Sequence, residues 1–208
     1  MERRLAYSLL VCAVSAPLFG SSITNLSENF DELTPGPSQV VIGTTFITIN
    51  STNVDVVGGD NGSYAPQLCV SPDSGNCIDM DGTGGDPVGQ LQSTNQFAAG
   101  NYLLSFDLIG NQLTSGTTSV TVTLGNYSNT FVLSEFDDSD GIVTNRPVTV
   151  STPGYLLFAS NDPAGDQSGQ LLDNVVVTGA SSAVPEPSSL VLLGLVLAGV
   201  VALRYRRA

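Results

Sequence analysis

The chain contains no histidine, no lysine and no tryptophan. Without histidine it cannot run serine–histidine–aspartate or cysteine–histidine catalysis, and imidazole cannot ligate zinc or haem iron. Charged residues make up 12% of the 208, about half the ~25% usual for a soluble domain. What charge there is has mostly one sign: 19 acids stand against six bases, giving -13. Such a surplus repels nucleic acid and anionic lipid, so nucleic acid is excluded as a partner. Glycine and proline number 22 and 11, together well short of the ~25–30% that marks low-complexity disorder.

The two ends read as addresses. Arg3 and Arg4 open the chain, an apolar stretch runs over 5–18, and Gly20, Ser21 and Ser22 offer small residues for cleavage. That pattern predicts a secretory signal peptide over 1–22, removed by signal peptidase, with cleavage after Ser22. The alternative is an uncleaved N-terminal anchor helix. Cys12 does not make a lipoprotein site, because Leu9, Leu10 and Val11 lack the small residue such sites need.

Near the other end, Val184-Pro185-Glu186-Pro187-Ser188-Ser189 precedes an apolar run over 190–203, then Arg204, Tyr205, Arg206, Arg207 and Ala208. A helix over 188–203 is about 24 Å long at ~1.5 Å per residue. That is short for a ~30 Å hydrocarbon core, but snorkelling Arg and Tyr side chains extend its reach. Arg204, Arg206 and Arg207 hold the tail in the cytoplasm as a membrane stop, which places the preceding body outside. The two prolines keep the motif extended and short of backbone donors, so a processing enzyme can grip it.

Motif, short span and closing arginines together resemble the PEP-CTERM sorting signal of Gram-negative bacteria, over 181–208. The resemblance implies that Pro185, Glu186 and Pro187 are recognised by exosortase, a membrane-embedded transpeptidase-like enzyme, and that the chain is cut near them. It also implies an association with exopolysaccharide or biofilm. The alternative is a plain tail anchor after a proline-rich stalk.

Between the addresses lies a body in which Arg146 is the only base, set against 17 acids. Its periodicity is that of strands. Tyr102, Leu104, Phe106 and Leu108 alternate with Leu103, Ser105, Asp107 and Ile109; Val120, Val122 and Leu124 alternate with Ser119, Thr121 and Thr123. Further strands are expected over 40–50, 54–57, 67–70, 78–80, 89–93, 130–134, 147–151, 155–160 and 171–178. They recur about every ten residues between Gly, Asn, Asp and Pro, which predicts an all-β body over 23–180 folded as an antiparallel sandwich or jelly roll.

Several stretches are similar to exported galactose-binding-like and carbohydrate-binding jelly rolls: Asn29-Phe30-Asp31, Cys77 to Gly84, Ala99 to Leu108, and Leu171 to Val177. In that family an early acid and an Asp on the last strand flank a structural calcium. The resemblance therefore implies Asp31 and Asp173 as calcium ligands.

Cys69 and Cys77 flank a turn in an exported body, which points to a disulfide. Asp79, Asp81 and Asp86 sit among glycines and can aim several oxygens at one calcium ion. The segment departs from an EF-hand loop, with Gln90 where the bidentate Glu belongs. Its alternative is a set of solubilising turns. A second acidic loop holds Glu135, Asp137, Asp138 and Asp140; a third holds Asp162 and Asp166. No cofactor is required by this reading; structural calcium is the one candidate.

Sugar stacking needs an exposed aromatic face. Tyr102 and Tyr155 read as core-facing, which leaves Tyr64 and Tyr127 in or beside loops. Four Asn-x-Ser/Thr matches occur, as chance predicts in a body rich in these residues.

The expected function is that of a non-enzymatic, exported cell-surface or matrix protein, transiently anchored in the inner membrane, structural or adhesive in role and linked to extracellular polysaccharide. The alternative is a secreted carbohydrate-binding module, or a polysaccharide-acting enzyme with a carboxylate pair.

Overall fold

The computed structural model describes residues 22–58, 68–69, 75–84, 87–110, 112, 116–135, 141–162 and 167–179. The expected signal peptide, the sorting tail with Pro185, Glu186, Pro187, Arg204, Arg206 and Arg207, and also Tyr64 and Asp86, lie outside the described residues.

The described residues form strands and turns with no helix. In chain order the strands are β1 Ser22–Ile23, β2 Asn25–Glu28, β3 Gly36–Gln39, β4 Val41–Ile42, β5 Phe46–Thr48, β6 Val54–Val57, β7 Cys77–Asp79 and β8 Gln90–Ser93. Then come β9 Gln96–Phe97, β10 Gly100–Ile109, β11 Thr117–Leu124, β12 Tyr127–Ser134, β13 Gly141–Val150, β14 Leu156–Ser160 and β15 Leu171–Gly179. One sheet runs β13-β10-β15-β7-β6-β3, with β2 also paired to β15; the other runs β12-β11-β14-β8-β5-β4. Every pairing within these two sheets is antiparallel, and a short parallel pair joins β1 to β9. The body is thus a two-sheet β-sandwich.

Alternation explains β10 and β11. Tyr102, Leu104, Phe106 and Leu108 of β10 are buried, as are Val120, Val122 and Leu124 of β11, while Leu103, Ser105, Asp107, Ser119, Thr121 and Thr123 are half-buried or exposed. Ile109, expected on the outer face of β10, is buried at its end. β15 is central, and Leu172, Val175 and Val177 are sealed beneath the opposite sheet. Phenylalanines join the sheets: Phe106 of one meets Phe158 and Phe131 of the other edge-on, at 5.3 and 5.4 Å between ring centroids.

The expected strand over 40–50 is instead the hairpin of β4 and β5. Gly43 turns it with φ +60°, a conformation that favours glycine. Leu68 and Cys69 belong to no strand, although a strand over 67–70 was the expectation. Tyr155 corrects another expectation. It stands outside and 38% exposed, whereas Tyr102 points inside with its hydroxyl donating to the Ala98 carbonyl at 2.8 Å. Tyr155 immediately precedes β14, whose buried positions begin at Leu156, so the alternation there has the opposite phase.

Phe158 contacts both Phe46 and Phe106 and is fully buried. Phe158→Ala is expected to destabilise the body by about 3–5 kcal/mol, measured as a shift of the urea unfolding midpoint with unchanged slope.

Candidate functional site

The described acids expected to hold calcium stand in three places: Asp31 at a corner, Asp173 on β15, and Asp79 with Asp81 at the end of β7. Asp31 follows β2 at a corner where Phe30 adopts φ +60°. One of its carboxylate oxygens accepts from the Asn76 backbone N–H at 2.9 Å, and the other accepts from the Asn29 side-chain amide at 2.6 Å. The Asn76 side chain in turn donates to the carbonyl of Leu33 at 2.9 Å. Gly75 is required here, because a Cβ would lie 1.6 Å from Asp31 Oδ1. This corner fastens the turn between β2 and β3 to the foot of β7, where a disulfide joins Cys69 to Cys77 across a Cα–Cα distance of 5.8 Å.

Asp173 sits on β15 opposite Asp107 of β10, beside a bulge. Its Oδ1 accepts from the Asn174 N–H at 2.7 Å, and the Asn174 side chain donates to Asp107 Oδ2 at 2.9 Å. Among the described residues no group of three or more Asp, Glu, Cys or His side chains is gathered to hold a metal ion. The pair Asp31 and Asp173 therefore does not assemble into such a group there.

Asp79 and Asp81 belong to a different cluster, with a third acid that sequence reasoning missed. Asp55 lies inside the buried strand β6 and pairs directly with Asp79 of β7. Asp55, Asp79 and Asp81 are all at most 4% exposed. Backbone donors hold them. Asp79 Oδ1 accepts from the N–H of Asp81 and of Gly169, both at 2.9 Å. Asp81 Oδ2 accepts from Gln167 N–H at 3.0 Å. Asp55 Oδ1 accepts from Ser38 N–H at 2.7 Å and Thr83 N–H at 2.8 Å, and its Oδ2 from the Thr83 hydroxyl at 2.6 Å. The cluster thus latches the edge strand β3, at Ser38, and two loops, at 81–84 and 167–169, to β6 and β7. The signal in the sequence was an acid inside the apolar run Val54-Asp55-Val56-Val57. An acid in a fully buried strand needs several donors.

Burial pushes the Asp79 carboxyl up to about 7; the charges of Asp55 and Asp81 add to the rise, and the two N–H donors oppose it. The remaining acidic loops are described in part. Asp162 Oδ1 accepts from Ser119 N–H at 2.7 Å, and Glu135 N–H donates to the Gly116 carbonyl. Asp137, Asp138, Asp140 and Asp166 lie outside the described residues.

Tyr127 opens β12 and packs its half-buried ring against the core. The Arg146 guanidinium, from β13, lies over it at 5.9 Å from the ring centroid. Burial raises the phenol, and hydrogen bonds to the Asn129 and Arg146 side chains oppose that rise. One face of the ring is therefore covered by the guanidinium. The two residues sit in a groove of about 340 Å³ between β12 and β13, lined also by Asn129, Phe131, Ile142 and Val143.

The raised Asp79 carboxyl sets a pH dependence with a definite sign. The folded chain holds this proton up to about 7, whereas the unfolded chain releases it near 3.8. The group's contribution to stability is thus fully present below about 4 and is lost as pH rises toward 7. Urea unfolding is expected to show stability falling between pH 5 and 7 by up to ~1.4 kcal/mol per pH unit from this group. Asp79→Asn should remove that slope; an unchanged slope would assign it elsewhere.

Comparison with known proteins gives two kinds of likeness. The K1 cleaved adhesin domain of Lys-gingipain from Porphyromonas gingivalis W83 is 17% identical, with 76% of this chain and 99% of that one aligned and a TM-score of 0.46. An exo-beta-1,3-galactanase from Phanerochaete chrysosporium, solved with beta-1,3-galactotriose, is 13% identical over 76% of this chain and 30% of its own, with a TM-score of 0.38. No curated protein matches. Residues 183–207, by contrast, match the family described as the PEP-CTERM protein-sorting motif. The chain therefore carries the sorting signal of an exported protein targeted to exosortase.

Proposed function

We propose that this chain is a non-enzymatic cell-surface or matrix protein whose folded body is exported, held briefly at the inner membrane, and released by an exosortase-like enzyme. Residues 1–22 direct export and are removed by signal peptidase. The segment 188–203 crosses the membrane, and Arg204, Arg206 and Arg207 stay on the cytoplasmic side. Cleavage near Pro185, Glu186 and Pro187 then frees the body, which serves a structural or adhesive role with extracellular polysaccharide as its partner. The observation that carries this reading is the sorting motif matched at 183–207, directly behind a sandwich whose last described strand ends at Gly179.

Two further features support it. A body that folds outside the cytoplasm meets oxidising conditions, and Cys69 and Cys77 lie in disulfide geometry. A non-enzymatic role fits the acids: Asp55, Asp79 and Asp81 are sealed from solvent and occupied by backbone donors. A carboxylate pair acting on a polysaccharide needs an open cleft and room for substrate between the two groups.

Replacement of Pro185, Glu186 and Pro187 by alanine is expected to leave the protein unprocessed in the inner-membrane fraction. Intact-mass analysis of wild type should show loss of a C-terminal piece that includes most of residues 188–208. A triple mutant processed and released like wild type would refute the sorting reading.

A further inference from the structure

A β-sheet edge presents unpaired backbone N–H and C=O groups, and proteins that stay monomeric blunt their edges with charge, proline, bulges or short strands. Three of the four outer edges of this sandwich are blunted in that way. β3 contains Pro37 and Ser38 at φ +54°, and its register shifts between Gly36 and Gln39. β4 is two residues long. β13 carries Arg146, Pro147 and Asn145 at φ +49°, opposite a register shift in β10. β12 has none of these devices. Its eight residues, Tyr127-Ser128-Asn129-Thr130-Phe131-Val132-Leu133-Ser134, are uncharged, free of proline and glycine, and in unbroken register with β11. Val132 on its outer face is 63% exposed.

The free side of β12 has a definite polarity. Glu135 N–H donates to the Gly116 carbonyl, so the odd-numbered residues of the strand direct their backbone groups at β11. By alternation, Ser128, Thr130, Val132 and Ser134 direct theirs outward. Just before the strand, Asn126 N–H donates to the Thr149 carbonyl of β13; within 127–134 no described strand pairs with β12 on that side.

We propose that β12 pairs antiparallel with β12 of a second copy, joining two six-stranded sheets into one across a two-fold axis at Phe131. The outward residues fix the register: Ser128 bonds to Ser134 of the second copy and Thr130 to Val132, each twice by symmetry. The same register sets Tyr127 opposite the second copy's Glu135, as a close non-hydrogen-bonded pair with Cα atoms ~4.5 Å apart. Arg146, the only base of the body, lies over Tyr127. Each copy thus presents its one cation where the other presents an acid. This charge match selects a second copy as the occupant, for a strand without charge of its own discriminates weakly between partners. A body that is strongly acidic elsewhere approaches itself at the least cost along this uncharged edge.

The test uses the full chain in mild detergent, with its mass followed by analytical ultracentrifugation across concentration. A dimer is expected, and Val132→Lys and Thr130→Pro should each weaken it by about tenfold or more, since each blunts the edge without touching the β11 ladder. Glu135→Arg and Arg146→Glu should each weaken it about fivefold, and the double reversal should return to within about twofold of wild type. Circular dichroism checks that each variant keeps its sheet. A monomer at every concentration overturns the proposal. So does a dimer of unchanged affinity in Val132→Lys and Thr130→Pro, which would place association elsewhere, the apolar tail included. Neither outcome touches the sorting reading, which rests on processing at 185–187.

Discussion

A chain of five phenylalanines is the contact on which the sandwich depends. Phe30 meets Phe46, Phe46 meets Phe158, Phe158 meets Phe106, and Phe106 meets Phe131, with centroid separations from 5.3 to 6.3 Å. The rings come from both sheets and from one corner. Phe106 belongs to the β10 sheet, Phe46, Phe158 and Phe131 to the other, and Phe30 to the corner after β2. Neither sheet can bury its inner face alone, and with no tryptophan these rings supply the bulk that fills the space between them. Phe30 reaches its place only by adopting φ +60°, and Asp31, held to Asn76, fastens the corner that positions it. Asp31 thus acts through the core.

The second constraint is electrostatic. A body with one base and 17 acids cannot neutralise its carboxylates with side-chain cations. It uses backbone N–H groups in their place. The described buried acids Asp55, Asp79, Asp81, Asp162 and Asp173 each accept at least one. The donors to Asp55, Asp79 and Asp81 include loop residues at 81, 83, 167 and 169, so these three acids also fix loop conformations. Gln167 beside Asp81 and Asn174 beside Asp173 adopt left-handed backbone. Asp79 feels two neighbouring acids as well as its burial, because Asp55 lies directly across the ladder and Asp81 two residues along.

The strands that were legible from the sequence are those with one buried face. β10, β11, β14 and β15 show the period of two that burial imposes, and their inward residues were readable from it. The strands that were missed have little apolar content. β2 and β3 read Asn-Leu-Ser-Glu and Gly-Pro-Ser-Gln, and the first half of β13 buries only Gly141 fully. They are strands because a neighbour offers a ladder, a tertiary cause that periodicity does not register. The acids divide in the same way. Asp79 and Asp81 were visible as a pair, but their partner Asp55 is 24 positions before Asp79 and is brought beside it only by β6 pairing with β7.

The placement of the bases ties the body to its route. Five of the six arginines stand at positions 3, 4, 204, 206 and 207, and only Arg146 lies between. On the route proposed above, the bases at the two ends hold their flanks on the cytoplasmic side, and the scarcity of bases in the body leaves little to resist translocation. A protein under that constraint gives up surface ion pairs. It must then stabilise its acids from within, by backbone donors, and its cohesion must come from apolar packing and a disulfide. The sealed carboxylates, the phenylalanine chain and the Cys69–Cys77 bridge therefore answer a single condition: a body with one side-chain cation.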